Sequence, residues 1–361
     1  MSNKDYKIYR NIMSVNPIID KDYLGRILNL SKSQIIRSIK VTEVIESNTA
    51  LVIKAIVQIH DVGGDICKKL FIKTIKRNQS ENVYHSKSMQ EGKFYKFIKD
   101  IAINNIPVPI CYDAFVSEET GEFVIVLEDI SNSYTAPNSR IISDKNIWFS
   151  CVESLARFHS AFWNHKIIDL LHSQSDEEIE SDVKFQKDRL QSFLNYFKDE
   201  FDKKTKLILD TAMEINISLI REQSRRVSEK KDVTICNGDS HIYNFMLPIE
   251  RGSNPLIVDF QFWGEGIGAG DLAHLTRESF SDEFKKDIQI PLVEHYHKSL
   301  LEQGVTGYSW ENCLKDYRAE AATMVLIPFY QWSYFSVKHD EWIGDLQGLI
   351  YNYEYLKCDE L

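Results

Sequence analysis

Three absences limit what this 361-residue chain can be. No C-x-x-C pair occurs among its six cysteines, so we expect reduced thiols rather than a disulfide framework or a zinc site. No stretch reaches the roughly 18 apolar residues of a transmembrane helix. Positive charge is not in excess, because 43 Lys and Arg residues face 53 Asp and Glu residues, for a formal net charge of −10. The acidic balance argues against a nucleic-acid-binding protein, whose contact surface is usually basic.

The chain also lacks internal repeats and low-complexity segments, and residues 1–10 lack the apolar core of a signal peptide. Its length, at roughly 150 residues per domain, favours two domains of a globular protein. We therefore expect a cytoplasmic protein that binds neither nucleic acid nor membrane. Nothing in the sequence indicates an obligate protein partner.

The front of the chain is rich in β-forming patterns. Residues 17–40 have helical spacing, but residues 41–75 are β-branched on either side of a Gly63-Gly64 turn, which predicts a hairpin. A helix is predicted over 86–100. Two more strands are predicted over 110–116 and 123–127.

The rest of the chain is mainly helical. The clearest amphipathic segment covers residues 147–162, and charged helical sequence fills residues 165–230. Two short β-like runs, 233–236 and 256–260, interrupt it. A β-rich front of about 125 residues followed by a helix-rich remainder predicts an α+β fold.

The most informative segment contains Asp239, Asn244 and Asp259. Asp and Asn next to Gly often only form turns. Here, however, Asp-x-x-x-x-Asn is followed by an apolar run that ends in Asp-Phe, a spacing typical of kinase catalytic loops. One carboxylate can orient and deprotonate a hydroxyl, while a carboxamide oxygen and a second carboxylate can bind Mg²⁺ on nucleotide phosphates. The segment therefore predicts phosphoryl transfer.

This segment resembles the H-G-D-x-x-x-x-N motif of the aminoglycoside phosphotransferase and choline kinase group of small-molecule kinases. Asp259-Phe260-Gln261 is most similar to the ecdysteroid kinase-like branch. Further matches follow in the expected order between about residues 40 and 275. They are Lys73 after the hairpin, Glu91 on the next helix, Val126-Leu127-Glu128-Asp129, Ser154-Leu155-Ala156-Arg157-Phe158-His159 and Asp271-Leu272-Ala273.

The resemblance implies a bilobal protein-kinase-like fold with the active site between its lobes. Residues 1–127 would form the nucleotide-binding lobe, and residues 128–361 the helical lobe with the catalytic loop, metal site and acceptor pocket. ATP would be the phosphate donor and a small-molecule hydroxyl the acceptor. Asp239 would act as the base, and Asn244 and Asp259 would hold Mg²⁺.

The resemblance also implies the residues that bind the nucleotide. Lys73 would neutralise the α- and β-phosphates, with Glu91 holding its ammonium group. The remaining nucleotide-binding candidates are Ser47 and Asn48 in the first β turn and the backbone near Glu128 and Ile130. From the residues alone, Lys73 could instead be a solubilising charge on an edge strand. Asp271 could be a helix N-cap.

The sequence departs from the family pattern in two places. Asn237 stands where the family usually has His, and the first β turn has no glycine-rich phosphate loop. The residue at position 237 is expected to brace the loop through hydrogen bonds, which a polar Asn can also do. These departures leave a second hypothesis open, a kinase-fold binding protein without catalysis.

A third hypothesis comes from Gly264-Glu265-Gly266-Ile267-Gly268-Ala269, which fits the dinucleotide-binding pattern G-x-G-x-x-A of oxidoreductases. No run of βα units surrounds it. Histidines 159, 241 and 274 lack the spacing of metal ligands.

The acceptor is expected against the helices of residues 165–230 and 310–350. Aromatic residues are candidate walls for it, although such residues often only fill a core. They are Tyr243, Trp263, Phe329, Tyr330, Trp332, Tyr334 and Trp342. A cationic acceptor would favour aromatic faces with carboxylates, whereas a steroid or polyketide alcohol would favour the aromatics alone.

Overall fold

The computed structural model describes residues 20–46, 50–74, 83–101, 103, 105–138, 143–171, 174–250, 252–277, 282–335 and 339–358. The chain divides into two compact units, Met1–Thr135 and Ala136–Leu361. The sequence placed this boundary a few residues earlier, between 127 and 128. Among the described residues, no helix combines the length and the apolar character that crossing a membrane requires.

The N-terminal unit is built on an antiparallel sheet with strand order β1-β2-β3-β5-β4. Its elements are α1 (Lys21–Ile27), β1 (Ile35–Glu46), β2 (Leu51–Asp61), β3 (Gly64–Thr74), α2 (Val83–Ile101), β4 (Cys111–Ser117), β5 (Glu122–Glu128) and β6 (Tyr134–Thr135). The predicted hairpin is confirmed, since β2 and β3 pair along their whole length. Gly64 has a φ of +126°, which only glycine adopts readily.

The helical prediction for residues 17–40 holds for α1 and is wrong for residues 35–40, which begin β1. Ile36 pairs with Ile59 of β2 and packs in the same buried cluster as Leu24 of α1. Sheet pairing and burial of β-branched side chains therefore override the local helical spacing. The predicted helix over 86–100 and the strands over 110–116 and 123–127 are confirmed as α2, β4 and β5.

The C-terminal unit is mainly helical. Its α-helices are α3 (Lys145–Phe162), α4 (Asp176–Tyr196), α5 (Lys203–Glu229), α6 (Ala269–Thr276), α7 (Asp282–Glu302), α8 (Trp310–Thr323), α9 (Ile327–Phe335) and α10 (His339–Tyr355). Its strands are β7 (Thr234–Cys236), β8 (Phe245–Pro248), β9 (Leu256–Ile257) and β10 (Gly264–Gly266), and its 3₁₀ helices are Lys166–Leu170, Ile242–Asn244 and Met324–Leu326.

Side-chain caps determine where several of these helices begin. Asp144, Asp202 and Ser309 each accept a backbone N–H at the start of α3, α5 and α8, and Ser175 forms a full capping box with Glu178 at the start of α4. The helices predicted over 147–162 and within 165–230 are confirmed.

Two short antiparallel pairings present the functional segment. Strand β8 pairs with β9, and β7 pairs with β10 so that Cys236 faces Gly264. Gly264 and Gly266 thus lie in a strand, rather than in a turn between a parallel strand and a helix. This does not fit the dinucleotide-binding hypothesis.

Candidate active site

The predicted catalytic loop runs from Asn237 to Asn244 and connects β7 to β8. Gly238 has a φ of +81°, and a Cβ atom placed on it would lie 2.2 Å from the carbonyl oxygen of Phe262. Both the conformation and the close approach require glycine. Gly238 of the motif is therefore needed for the backbone path that leads to Asp239.

Asn237 joins the loop to the segment that holds Asp259. Its side chain is buried; the amide nitrogen Nδ2 donates to the carbonyl of Asp259 at 3.1 Å, and Oδ1 accepts the N–H of Asp239 at 3.1 Å. Donor and acceptor are thus both used, as a buried carboxamide requires. The bracing expected of the residue at this position is confirmed for Asn237.

Asp271 forms hydrogen bonds with the backbone of the same loop. Its Oδ2 accepts the N–H of Asn237 at 2.6 Å, and its Oδ1 accepts the N–H of Gly238 at 2.8 Å. The interpretation of Asp271 as a helix N-cap is wrong, because Gly268 occupies that position and Asp271 lies in the first turn of α6. A buried carboxylate there is stabilised by the amide donors and by the positive end of the helix dipole.

Three basic side chains surround the carboxylate of Asp239, which is 30% exposed. His241 Nε2 lies 3.7 Å from Oδ2; His274 Nδ1 and a guanidinium nitrogen of Arg277 lie 3.6 and 3.8 Å from Oδ1. Burial raises the pKa of Asp239, but His274, His241 and Arg277 together outweigh burial and hold it below its ordinary value. Asp239 is therefore ionised at neutral pH.

The role of Arg277 was missed from the sequence, and His274 was considered only as a metal ligand. The available signal was their spacing: Asp271, His274 and Arg277 recur every third residue, which places them on one face of α6 and its end.

Asn244 and Asp259 lie at the same end of the β8–β9 hairpin. Asn244 precedes β8, Asp259 follows β9, and the N–H of Val258 donates to the carbonyl of Asn244 at 2.9 Å. Asn244 Nδ2 donates to the carbonyl of Asp239 at 2.8 Å, so the atom that remains to bind a ligand is the carboxamide oxygen Oδ1. A carboxamide oxygen and a carboxylate are donors that fit Mg²⁺.

Asp259 has a backbone conformation that is rare outside glycine. Its φ is +61°, and such strained residues cluster at functional sites. The next residue, Phe260, is fully buried and its ring centroid lies 5.5 Å from that of Phe158 on α3. Packing of Phe260 therefore anchors the segment that carries Asp259.

His159, Cys236 and Asp271 also come together, with ligand atoms within 4.8 Å of one another. They do not resemble a metal site. The two carboxylate oxygens of Asp271 and both ring nitrogens of His159 already have hydrogen-bond partners. Burial raises the pKa of the Cys236 thiol well above its ordinary value, which disfavours the thiolate that would bind a metal.

In the N-terminal unit, Lys73 of β3 and Glu91 of α2 form the ion pair that the resemblance implied. Their side chains are 14% and 7% exposed. Lys73 faces Val52 of β2 on one side and Ile125 of β5 on the other, so β3 is a central strand. The alternative of a solubilising charge on an edge strand is therefore wrong.

Of the other predicted nucleotide-binding residues, Glu128 and Ile130 lie within the described part of the chain. Glu128 ends β5; its N–H donates to the carbonyl of Ile110, and its carboxylate accepts the N–H of Ile110 at 2.9 Å. The carbonyl of Ile130 accepts the N–H groups of Ser133 and Tyr134, which closes a tight turn. Ser47 and Asn48 lie outside the described residues.

The predicted acceptor walls divide into core and accessible residues. Phe329 and Trp342 are fully buried against Phe193, so they belong to the aromatic core. Tyr243 and Tyr334 are exposed. Trp263, Tyr330 and Trp332 are half-buried.

Comparison with known proteins places these features in a family. The model of the ecdysteroid kinase-like family matches residues 47–305, well over half of the chain. No curated protein matches the sequence.

Three solved structures illustrate the shared fold. A candidate aminoglycoside phosphotransferase from Ralstonia eutropha is 13% identical, with a TM-score of 0.55 over 94% of this chain and 98% of that one. The choline kinase of Cryptosporidium parvum is 13% identical, with a TM-score of 0.52 over 92% and 91%. A choline/ethanolamine kinase family protein from Mesorhizobium loti is 13% identical, with a TM-score of 0.50 over 93% and 92%. At these identities the likeness establishes a kinase-like fold, and the family match goes further: this chain belongs to the ecdysteroid kinase-like family.

Proposed function

We propose that the protein is an ATP-dependent phosphotransferase that moves the γ-phosphate to a hydroxyl group of a small molecule. The observation that carries the proposal is the position of Asn237. Its side chain bonds both to the Asp239 backbone and to the Asp259 backbone, so the candidate base and a candidate metal ligand belong to one hydrogen-bonded unit. Asn244, the other candidate ligand, is bonded to the Asp239 carbonyl.

In this proposal Asp239 accepts a hydrogen bond from the acceptor hydroxyl and orients its oxygen toward the γ-phosphate. Its lowered pKa makes it a weak base, which suits a loose transition state in which the hydroxyl proton leaves late. Positioning of the hydroxyl is then the main contribution of Asp239.

Charge neutralisation is assigned to Lys73 and to a metal ion. Glu91 holds the ammonium group of Lys73, which limits its motion and suits it to the α- and β-phosphates. Asn244 Oδ1 and the carboxylate of Asp259 would hold Mg²⁺, which would supply positive charge to offset the negative charge of the nucleotide phosphates. The backbone near Glu128 and Ile130 would contact the adenine. Ser47 and Asn48 would contact the phosphates.

The alternative, a kinase-fold binding protein without catalysis, rests on Asn237 standing where the family has His. The buried hydrogen bonds of Asn237 favour an ordered loop and so favour the catalytic proposal. Each position that the chemistry needs, Lys73, Asp239, Asn244 and Asp259, holds a competent residue.

The test is a Mg-ATP consumption screen with amino alcohols, aminoglycosides, sugars, sterols and macrolides as acceptors. We expect at least one acceptor to be phosphorylated. For that acceptor, Asp239→Asn should lower kcat about 10²- to 10⁴-fold, because the carboxylate that orients the hydroxyl and accepts its proton is lost. Asp287→Asn, which alters an exposed carboxylate on α7 that is paired with Lys145 and lies outside the predicted acceptor helices, is the matched control and should leave kcat unchanged. ATP binding without transfer to any acceptor would support the non-catalytic alternative.

A further inference from the structure

A chain of buried hydrogen bonds begins in α7 and ends on the catalytic loop. The hydroxyl of Tyr296 lies 2.7 Å from His159 Nδ1, and His159 Nε2 lies 3.1 Å from Asp271 Oδ2. Asp271 in turn accepts the N–H groups of Asn237 and Gly238. The side chains of Tyr296, His159 and Asp271 are all buried. Three separate helices, α7, α3 and α6, thus contribute one residue each.

The chemistry of the groups gives this chain a single direction. An ionised carboxylate only accepts, so His159 carries its hydrogen on Nε2 and donates to Asp271. Nδ1 then accepts the hydrogen of the Tyr296 hydroxyl. Burial raises the pKa of Tyr296 well above its ordinary value, which keeps that hydrogen in place. Each of these side chains is therefore satisfied only in this arrangement.

Neighbouring residues also help to fix the position of His159. A Cβ atom on Gly268 would lie 2.5 Å from the Tyr296 hydroxyl and 2.8 Å from His159 Nδ1, so only glycine leaves room for their hydrogen bond. Thr234 of β7 donates its hydroxyl hydrogen to the carbonyl of His159 at 2.7 Å. This packing, rather than a dinucleotide-binding pattern, accounts for Gly268.

We propose that His159 is a positioning residue for Asp239, acting through Asp271, with Tyr296 fixing the orientation of the His159 ring. The proposal rests on the proposed phosphotransferase function. Asp239 directly follows Gly238, so a shift of the carboxylate that holds the Gly238 N–H moves the Asp239 side chain relative to the acceptor hydroxyl. A displacement of about 1 Å at a reacting group can lower the rate about 10²-fold.

Two substitutions of similar size separate a positioning role from simple filling of space. In His159→Gln, the side-chain amide nitrogen can reach the position of Nε2 and donate to Asp271. In His159→Asn, the shorter side chain places its amide near Nδ1 and leaves Asp271 without that donor. We expect His159→Asn to lower kcat about 10- to 100-fold with an unchanged KM for ATP, and His159→Gln to restore most of kcat. Tyr296→Phe, one bond further away, should lower kcat less.

A second measurement does not depend on knowing the acceptor. Hydrogen exchange of the backbone amides of Asn237 and Gly238 should be faster in His159→Asn than in the wild type and close to the wild type in His159→Gln. Ser154→Ala is the matched control, since Ser154 is buried on the same helix but donates to the carbonyl of Pro255 instead. It should leave the exchange of both amides unchanged. Denaturant midpoints of all variants identify any general loss of stability.

Equal loss of kcat in the Gln and Asn variants, or wild-type exchange of both amides in His159→Asn, overturns the positioning role. If the wild-type protein phosphorylates no acceptor, the proposed function is overturned instead. The exchange rates then still decide whether His159 orders the loop.

Discussion

Each of the two units contains a charged group that is largely shielded from solvent, and the two groups are stabilised in different ways. In the N-terminal unit Lys73 is paired with an opposite charge, Glu91. In the C-terminal unit Asp271 is held by two backbone N–H groups and the ring of His159. Lys73 paired with Glu91 remains a cation that can still attract phosphates. The N–H donors around Asp271, in contrast, hold its carboxylate in one orientation. The first arrangement suits binding of charge, and the second suits positioning of a loop.

The largest expected effect comes from breaking the ion pair. Lys73→Met leaves the carboxylate of Glu91 buried without its counter-ion, and we expect a loss of about 3 kcal/mol in the free energy of unfolding. Adding Glu91→Leu should restore most of that stability but not phosphoryl transfer. Urea unfolding and the transfer assay separate the two effects.

Lys96→Met is the matched control for this experiment, because Lys96 pairs with Asp100 on the exposed side of α2. Removing an exposed pair should change stability by less than about 0.5 kcal/mol. A double variant as unstable as Lys73→Met would contradict the assignment of the loss to an unpaired charge.

The next largest loss of stability is expected from altering Asp271, the acceptor of the loop N–H groups. Asp271→Asn keeps the size of the side chain, but its NH₂ group must face one of the two backbone N–H groups. We expect a loss of about 2 kcal/mol in unfolding free energy, because one of those amides then lies buried without an acceptor. Urea unfolding measures it, and Asp271→Asn with wild-type stability and wild-type kcat would contradict the role of Asp271 as an acceptor for the loop.

Glu320 on α8 provides a third case, a carboxyl with neither a counter-ion of its own nor a set of amide donors among the contacts described. Burial, with Asp316 and Asp271 nearby, raises the pKa of Glu320 to about 8, against an ordinary value of 4.5. Between these two pH values the folded protein keeps a proton that the unfolded chain releases. Stability should therefore fall as the pH rises from 4.5 to 8.

Glu320→Gln removes this titration. The variant should be more stable than the wild type by about 2 kcal/mol at pH 6, with a gain that grows toward pH 8, and nearly equal to it near pH 4. Thermal midpoints measured across that range test the difference, with Glu294→Gln, an exposed position on α7, as the control. A gain that does not change with pH would contradict the assigned pKa.

The smallest effect concerns the basic residues around Asp239. Because His274 helps to lower the pKa of Asp239, His274→Gln should raise it toward the ordinary value of 3.8. Asp239 remains ionised at pH 7.5 in either case, so kcat at that pH should change by less than about threefold. NMR titration of the Asp239 carboxyl carbon follows the pKa directly, and an unchanged pKa would remove His274 from the set of groups that lower it.

Much of the candidate site could be predicted because its residues are close in sequence. Asp239, Asn244 and Asp259 lie around one short hairpin, where spacing along the chain nearly determines spacing in the fold. Lys73 and Glu91 are on different elements, and only the resemblance to a known motif connected them. The contacts of His274 and Arg277 with Asp239 could not be derived, because they depend on how α6 packs beneath the loop.

The fold likewise has features that local sequence predicts and features that depend on tertiary contacts. β-Branched residues on either side of Gly63-Gly64 were enough to predict the β2–β3 hairpin, since a local turn determines its register. Residues 35–40 have a spacing compatible with a helix, and only pairing with β2 makes them a strand. Phe329 and Trp342 have the composition of a binding wall, and only burial against Phe193 assigns them to the core.

The sequence by itself determined the α+β class, the acidic character and the order of residues suited to phosphoryl transfer, because each follows from local pattern or composition. Only the tertiary structure decided that Asp271 accepts hydrogen bonds from the loop and that His159 and Tyr296 are hydrogen-bonded in series to Asp271. It also decided that basic side chains surround Asp239. Apart from the contact between His241 and Asp239, those contacts join residues 33 to 137 positions apart. At such separations, packing of helices rather than sequence spacing determines which atoms meet.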